Sequence, residues 1–232
     1  MGRITVNHHA GTVLAVCDST KEFLLGQFDA GYPGRNKQWI GRVKLLGGNY
    51  FFGRDNDKSP LETYLREIGE EFFGQKAAPG EMSANQEHTF ATLDEIRFVR
   101  GELLKGEPFQ DYLLSYLIGG GDGLPMCVIQ SVFKASISRE VMGVVKNNLA
   151  QRKSLTNEGL LVVKTIDELL SGNPSTQGAT GLIIGQTEGV SFPYCFNDFF
   201  TFAPIGKPRD SYADYSDSFQ QRDHSKKFNQ GF

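Results

Sequence analysis

The sequence predicts an α/β fold, and three observations carry that reading. Short apolar runs bounded by turn formers recur along the chain, Val13-Leu14-Ala15-Val16 before Asp18-Ser19-Thr20 being the first. Between such runs stand helix starts written in capping chemistry: Ser59-Pro60-Leu61-Glu62, then Thr92 to Glu95, then Thr165 to Glu168. The length of 232 residues can bury a proper core, and one domain with insertions is the natural expectation.

Taken in order, residues 10–28 read as two strands joined by a turn, with Phe23-Leu24-Leu25 resuming the pattern. His8 and His9 precede them. Neighbours on a strand point to opposite faces, so they are expected at the surface rather than as a joint metal site. A turn-rich loop over 29–37 leads to Trp39, Ile40 and Val43 in a strand that ends at Gly47-Gly48. Arg35, Arg42 and Lys44 are candidate phosphate contacts, with solvated surface as the plain alternative, and Trp39 is more readily packing than base stacking. Glycines suit the end of that strand because only a residue without Cβ lets the backbone approach a diphosphate or its metal. Asp55 and Asp57 follow in a loop; a polar turn is the plainer reading, with either open as a further carboxylate beside the next helix.

The next helix organises the chain. Ser59 can cap it, Pro60 suits its first position, and Glu62 can return a bond to the cap. Leu61, Leu65, Ile68 and Phe72 make one apolar face. Glu67, Glu70 and Glu71 cluster off that stripe within an arc of roughly 100°. Three like charges there repel, and a hard cation with its appetite for oxygen ligands would relieve them. Read alone, the run Arg66-Glu67-Ile68-Gly69-Glu70-Glu71 is equally a solvated helix face.

Beyond it, Gln75 to Glu87 is polar and loop-like. Thr92 to Glu95 opens a helix carrying Ile96, Val99 and Leu103, against a competing strand over Phe90 to Val99. Tyr112 to Ile118 and Met126 to Ile137 read as strands about a glycine-rich hairpin connection at 119–123, which lacks the lysine of a P-loop. A helix over Glu140 to Leu149 follows, then Asn157 to Val163, in which Glu158 stands in a loop before a strand, and a helix capped by Thr165 and Glu168. Residues 171–180 read as a Ser/Gly/Pro-rich loop, Gly181 to Ile184 and Phe192 to Phe202 as closing elements, and 206–232 as a polar, flexible tail.

The stretch Arg66 to Glu71, with Gly47-Gly48 before it, resembles the signature of the Nudix hydrolases, G-x5-E-x7-R-E-U-x-E-E-x-G-U with U aliphatic. The box spans about 47–74 of a domain over 1–205. It departs in three places: Lys58 stands at the first glutamate position, Phe73 at the late glycine, and the loop from Gly48 to Lys58 is four residues longer than the family spacing. The resemblance implies an α/β/α sandwich around a mixed sheet and a metal-dependent hydrolase that cleaves the diphosphate linkage of a nucleoside diphosphate joined to another group. It further implies Mg²⁺ or Mn²⁺ on Glu67, Glu70 and Glu71, with Glu70 and Glu71 catalytic, a metal-activated water as attacking group, and Gly47, Gly48 and Arg66 toward the substrate. Arg66 also has a bracing role open to it, paired with a neighbouring carboxylate. Glu158 is the general base it points to, with Glu140 and Glu168 as competitors.

A net charge of −3 and a pI near 5.8 supply no basic field for long nucleic acid, although capped RNA ends stay open as substrates beside small nucleotides. No apolar run approaches a membrane span and no signal-peptide pattern is seen. Cys17, Cys127 and Cys195, odd in number and far apart, argue for reduced thiols in a cytoplasmic setting and against zinc. A homodimer stays open. So do two other readings: a nucleotide-binding or sensing module with little turnover, and an unrelated domain with an acidic helix face.

Overall fold

A computed structural model of the chain describes residues 4–28, 40–73, 89–116, 126–157, 160–172, 174–192 and 199–223. Trp39, Arg35, Gly74, Glu158, Cys195 and the 119–123 connection lie outside the described residues.

The strands are β1 (Ile4–Val6), β2 (His8–Cys17), β3 (Glu22–Gln27), β4 (Val43–Lys44), β5 (Leu46–Tyr50), β6 (Thr89–Phe90), β7 (Glu107–Tyr116), β8 (Met126–Ser136), β9 (Lys153–Ser154), β10 (Leu160–Thr165), β11 (Phe199–Gly206) and β12 (Phe219–Gln221). The helices are α1 (Pro60–Glu71), α2 (Leu93–Leu103), α3 (Arg139–Ala150), α4 (Ile166–Ser171) and α5 (Pro174–Glu188). The protein is thus mixed α/β. Eight strands form one sheet in the order β10-β3-β2-β8-β7-β11, with β4 on β3 and β5 on β2. The sheet is mixed: β2 and β8 run parallel, and the other described pairs in it are antiparallel.

Strand β2 is the centre. Its apolar run is continuous because both faces are covered. Val13, Ala15 and Cys17 enter the cluster built with α1, α2 and α3, whereas Leu14 and Val16 enter the one built with α4 and α5. One edge of β2 is shared, β3 pairing at its C-terminal end and β5 at its N-terminal half, where Thr12 and Gly11 face Gly47 and Gly48. That division brings the glycine pair alongside α1.

The opening hairpin, β8, α3 and the helix α2 with Ile96, Val99 and Leu103 buried stand where the pattern puts them, whereas β7, expected from Tyr112, begins five residues earlier at Glu107. Of the competing strand over Phe90 to Val99 only Phe90, the second residue of β6, is in a strand. Five expectations are corrected. The inner face of α1 is not the leucine stripe: Leu61 and Leu65 are exposed, and the buried set is Pro60, Thr63, Tyr64, Ile68, Glu71 and Phe72. At about 100° per residue the helix has turned to bury Glu71, and that rotation carries Leu65 out. Ser59 does cap α1, but Glu62 returns its bond to the N–H of Lys58, one residue ahead of the cap. His9 is buried against Tyr50, Tyr212 and Tyr215, not at the surface, and burial drives its imidazole pKa down to about 3. The composition of 171–180 predicts a loop, but Pro174–Glu188 is helical, broken at Gly178.

The fifth correction concerns the tail. Through residue 223 it is part of the fold. Residues Tyr212–Tyr215 make a 3-10 turn, and β12 pairs in parallel with β1. Tyr212, Tyr215 and Phe219 join Val6, Tyr50, Leu113 and Ile129 in a third core cluster. The boundary drawn at 205 therefore does not separate a loose segment. Polar residues hid it, because its anchors are three aromatics with no helical or strand period.

The rotation of α1 is open to test. Ile68→Ala should cost about 2–5 kcal/mol in urea unfolding, the range for a fully buried aliphatic. Leu65→Ala, in the residue first expected inside, should cost below about 1 kcal/mol.

Candidate functional site

The site forms where β5 leaves β2 and α1 lies across it. Gly47 has φ of 115°, a conformation that side chains resist. Its N–H donates to Glu71 Oε2 at 3.2 Å. A Cβ on Gly48 would stand 1.9 Å from Glu67 Oε2, so this glycine is required by the glutamate that fills the space. The glycine pair therefore seats two carboxylates of α1, and the close approach that it permits is to those side chains.

Each carboxylate meets a cation from the chain itself. Glu71, only 5 % exposed, pairs with Lys44 Nζ at 2.9 Å. Arg66 Nη1 reaches Glu67 at 2.7 Å and Glu70 at 3.1 Å. The other side of the same guanidinium holds Asp57, with Nη2 at 2.9 Å and Nε at 3.1 Å from Oδ2, and Nη2 also reaches the carbonyl of Asn49 at 3.4 Å. Burial works against the charge on Arg66, but Asp57 and Glu67 outweigh it and hold the group above its ordinary value. Lys44 lies between Glu71 and the ring of Phe28, 5.6 Å from its centroid.

A polar turn is the plainer reading of Asp57 in sequence, but the structure sets it against Arg66, as the alternative of a restored carboxylate expects. It stands nine residues before Arg66, one further than Lys58, so the lengthened loop supplies a carboxylate that exact spacing misses. Counting carboxylates on both sides of the nominal position was the signal available. Lys44 was singled out for phosphate, and its partner in the structure is Glu71. Glu70 remains largely exposed at 64 %. Asn157 donates through its backbone to Glu71 O at 2.8 Å and through its side chain to Glu70 O at 3.0 Å, closing the C-terminal end of α1. Of the competitors to Glu158, Glu168 is engaged in the capping box of α4, and Glu140 is exposed in the first turn of α3.

Glu67 is the strained member. Burial raises its carboxyl to about 7; Arg66 opposes that rise, and Glu71 and Glu70 add to it. Its Oε2 and the Oε1 of Glu70 have no hydrogen-bond partner among the described residues, whereas both oxygens of Glu71 are engaged. Among the described residues no three His, Cys, Asp or Glu side chains converge as a metal-holding group. The arrangement offers two half-free carboxylates beside a buried third, with two cations fixed behind them.

The chain matches no protein-family model and none of the curated proteins. The functional reading accordingly rests on the residues and their geometry.

The raised Glu67 carboxyl sets a pH dependence. In the unfolded chain it titrates near 4.5 and in the folded chain near 7, so the folded state holds the extra proton between those values. Its contribution to stability is full below 4.5 and is lost as pH rises through 7. In chelator, urea unfolding of the wild type should lose up to about 3 kcal/mol across that window relative to Glu67→Gln, which has no such proton to release.

Proposed function

We propose that this chain is a Nudix-type hydrolase that cleaves the diphosphate linkage of a nucleoside diphosphate joined to a second group, and that its mixed sheet with helices on both faces is a Nudix-type α/β/α sandwich. The observation that carries the reading is the seating of Glu67 and Glu71 on Gly47-Gly48 with Arg66 bracing the cluster. An acidic solvent-facing helix has no need of that glycine pair.

A divalent cation fits the donor set. Mg²⁺ binds through one or two carboxylates together with waters and substrate phosphates, so Glu67 and Glu70, each with an oxygen left over, are the residues that would hold it, with Glu71 available if Lys44 lets go. When bound, Mg²⁺ or Mn²⁺ would neutralise the diphosphate and make water a better nucleophile. The chain's own groups do the rest. Arg66 is committed to Asp57, Glu67 and Glu70, and holds the carboxylates in register instead of meeting substrate. Lys44 is half-buried and close enough to the strand end to exchange Glu71 for a phosphate oxygen. Attack of water on one phosphorus breaks the bridging P–O bond and leaves two phosphorylated products. The water's proton passes to a general base, for which Glu158 is the candidate.

A second reading has its own observation. Both oxygens of Glu71 are already engaged, one by Lys44 and one by Gly47, as expected of a module that binds nucleotide and turns it over poorly.

Turnover across a panel of nucleoside diphosphate compounds with Mg²⁺ and Mn²⁺ separates the two. The enzyme should cleave at least one class, and Glu71→Gln should lower that rate about a hundred-fold or more. Turnover indifferent to Glu71→Gln defeats the hydrolase reading. Nucleotide binding that persists in chelator, without turnover, supports the sensor.

A further inference from the structure

The loop over residues 51–58 is gripped at both ends by one residue of the C-terminal segment. We infer that Tyr212 is a positioning residue for the carboxylate site, fixing the lengthened loop so that Asp57 stands against Arg66. The inference rests on the functional reading for what the carboxylates do, and on geometry alone for how Tyr212 reaches them.

Tyr212 makes three contacts with the loop and its flanks. Its ring lies flat on Tyr50, the last residue before the loop, with centroids 4.0 Å apart and planes 8° from parallel. Its N–H donates to the carbonyl of Lys58 at the loop's far end, at 2.9 Å. Its hydroxyl lies 2.7 Å from Thr63 Oγ1, which in turn lies 2.8 Å from Asp57 Oδ2. The proton order is fixed by chemistry. An ionised carboxylate only accepts, so Thr63 spends its single proton on Asp57, and Tyr212 must be the donor to Thr63. The relay runs from Tyr212 to Thr63 to Asp57, which accepts from Arg66 on its other side, and Arg66 then holds Glu67 and Glu70.

Both hydroxyls are buried. Burial also keeps the Tyr212 phenol above its ordinary value, so it stays a donor throughout the working pH range. Neither nitrogen of His9, whose ring centroid is 4.9 Å from that of Tyr212, takes part in a hydrogen bond among the described residues, so it does not compete for the donor. The polar C-terminal segment therefore ties together two departures that look unrelated in sequence: the extra loop residues and Lys58 at the expected glutamate position. A longer loop would leave Asp57 free to wander, and the C-terminal clasp removes that freedom.

Tyr212→Phe keeps the ring and the backbone donor and deletes only the hydroxyl, while Thr63→Val deletes the relay at its middle. The primary readout is solvent exchange of the Arg66 Nε–H by NMR, with the Nε–H of Arg139, which bonds Ser19 far from the loop, as internal control. The second readout is Mn²⁺ affinity by titration calorimetry. Tyr212→Phe should speed Arg66 exchange about five-fold and weaken Mn²⁺ by a similar factor, the effect of losing one hydrogen bond. Arg139 should be unmoved, and adding Tyr212→Phe to Thr63→Val should change little more. An Arg66 Nε–H that exchanges at the wild-type rate in Tyr212→Phe overturns the inference, as does equal acceleration at Arg66 and Arg139. If wild type binds no Mn²⁺ and Arg66 still loosens in Tyr212→Phe, the metal-dependent reading falls and the positioning role stands.

Discussion

Burial of Glu67 and Glu71 against the sheet is the constraint from which the rest of this region follows. A carboxylate taken out of water must be paired or protonated. Glu71 is paired, by Lys44 from the neighbouring strand and by the N–H of Gly47. Glu67 is paired on one oxygen only, and its carboxyl is pushed up to about 7 as a result, through burial first. The strand must carry glycine at 48 because the Glu67 carboxylate occupies the volume of a side chain there. Helix α1 must turn its leucines outward to keep both glutamates inside. Even Arg66 is explained by this constraint, since its fork touches strand end, loop and helix together.

The same constraint makes the surrounding loop matter. Arg66 can be shared among three carboxylates only if the one on the loop is held still, and a single residue with free side-chain rotation would not provide that. The structure supplies Asp57 with a fixed partner in Thr63 and closes the loop from outside with a segment nearly 150 residues away in sequence. Aromatic packing of Tyr50, Tyr212 and Tyr215 around His9 gives that segment a core of its own.

Much of this was legible in the sequence because it is local. Caps at Ser59, Thr92 and Thr165 involve residues three apart, and the continuous apolar run of β2 is read from adjacent letters. Long-range contacts were not. Nothing near Tyr212 in sequence announces Thr63, and nothing near Lys44 announces Glu71. The leucine stripe of α1 misled because hydrophobicity alone was taken to choose the inner face, whereas buried glutamates with cation partners shifted it. His9 misled for the related reason that a polar side chain was assumed to seek water. In each case the deciding partner lies on another element, where composition and period are blind.

Charge accounting bears on which reading of the site is better supported. Four carboxylates, Asp57, Glu67, Glu70 and Glu71, are joined to two cations, Lys44 and Arg66, which leaves two negative charges uncompensated when all are ionised. A diphosphate brought to such a place meets repulsion that neither Lys44 nor Arg66 relieves without abandoning a carboxylate. One divalent cation balances the cluster, and its phosphate ligands would be drawn to the same ion, which is how Mg²⁺ sites are commonly completed. A nucleotide sensor that dispensed with metal would have reason to lose a carboxylate here, or to gain a third cation. Retaining all four, with two oxygens left unpaired toward the glycine strand and the solvent, favours a site that recruits its missing charge together with its substrate.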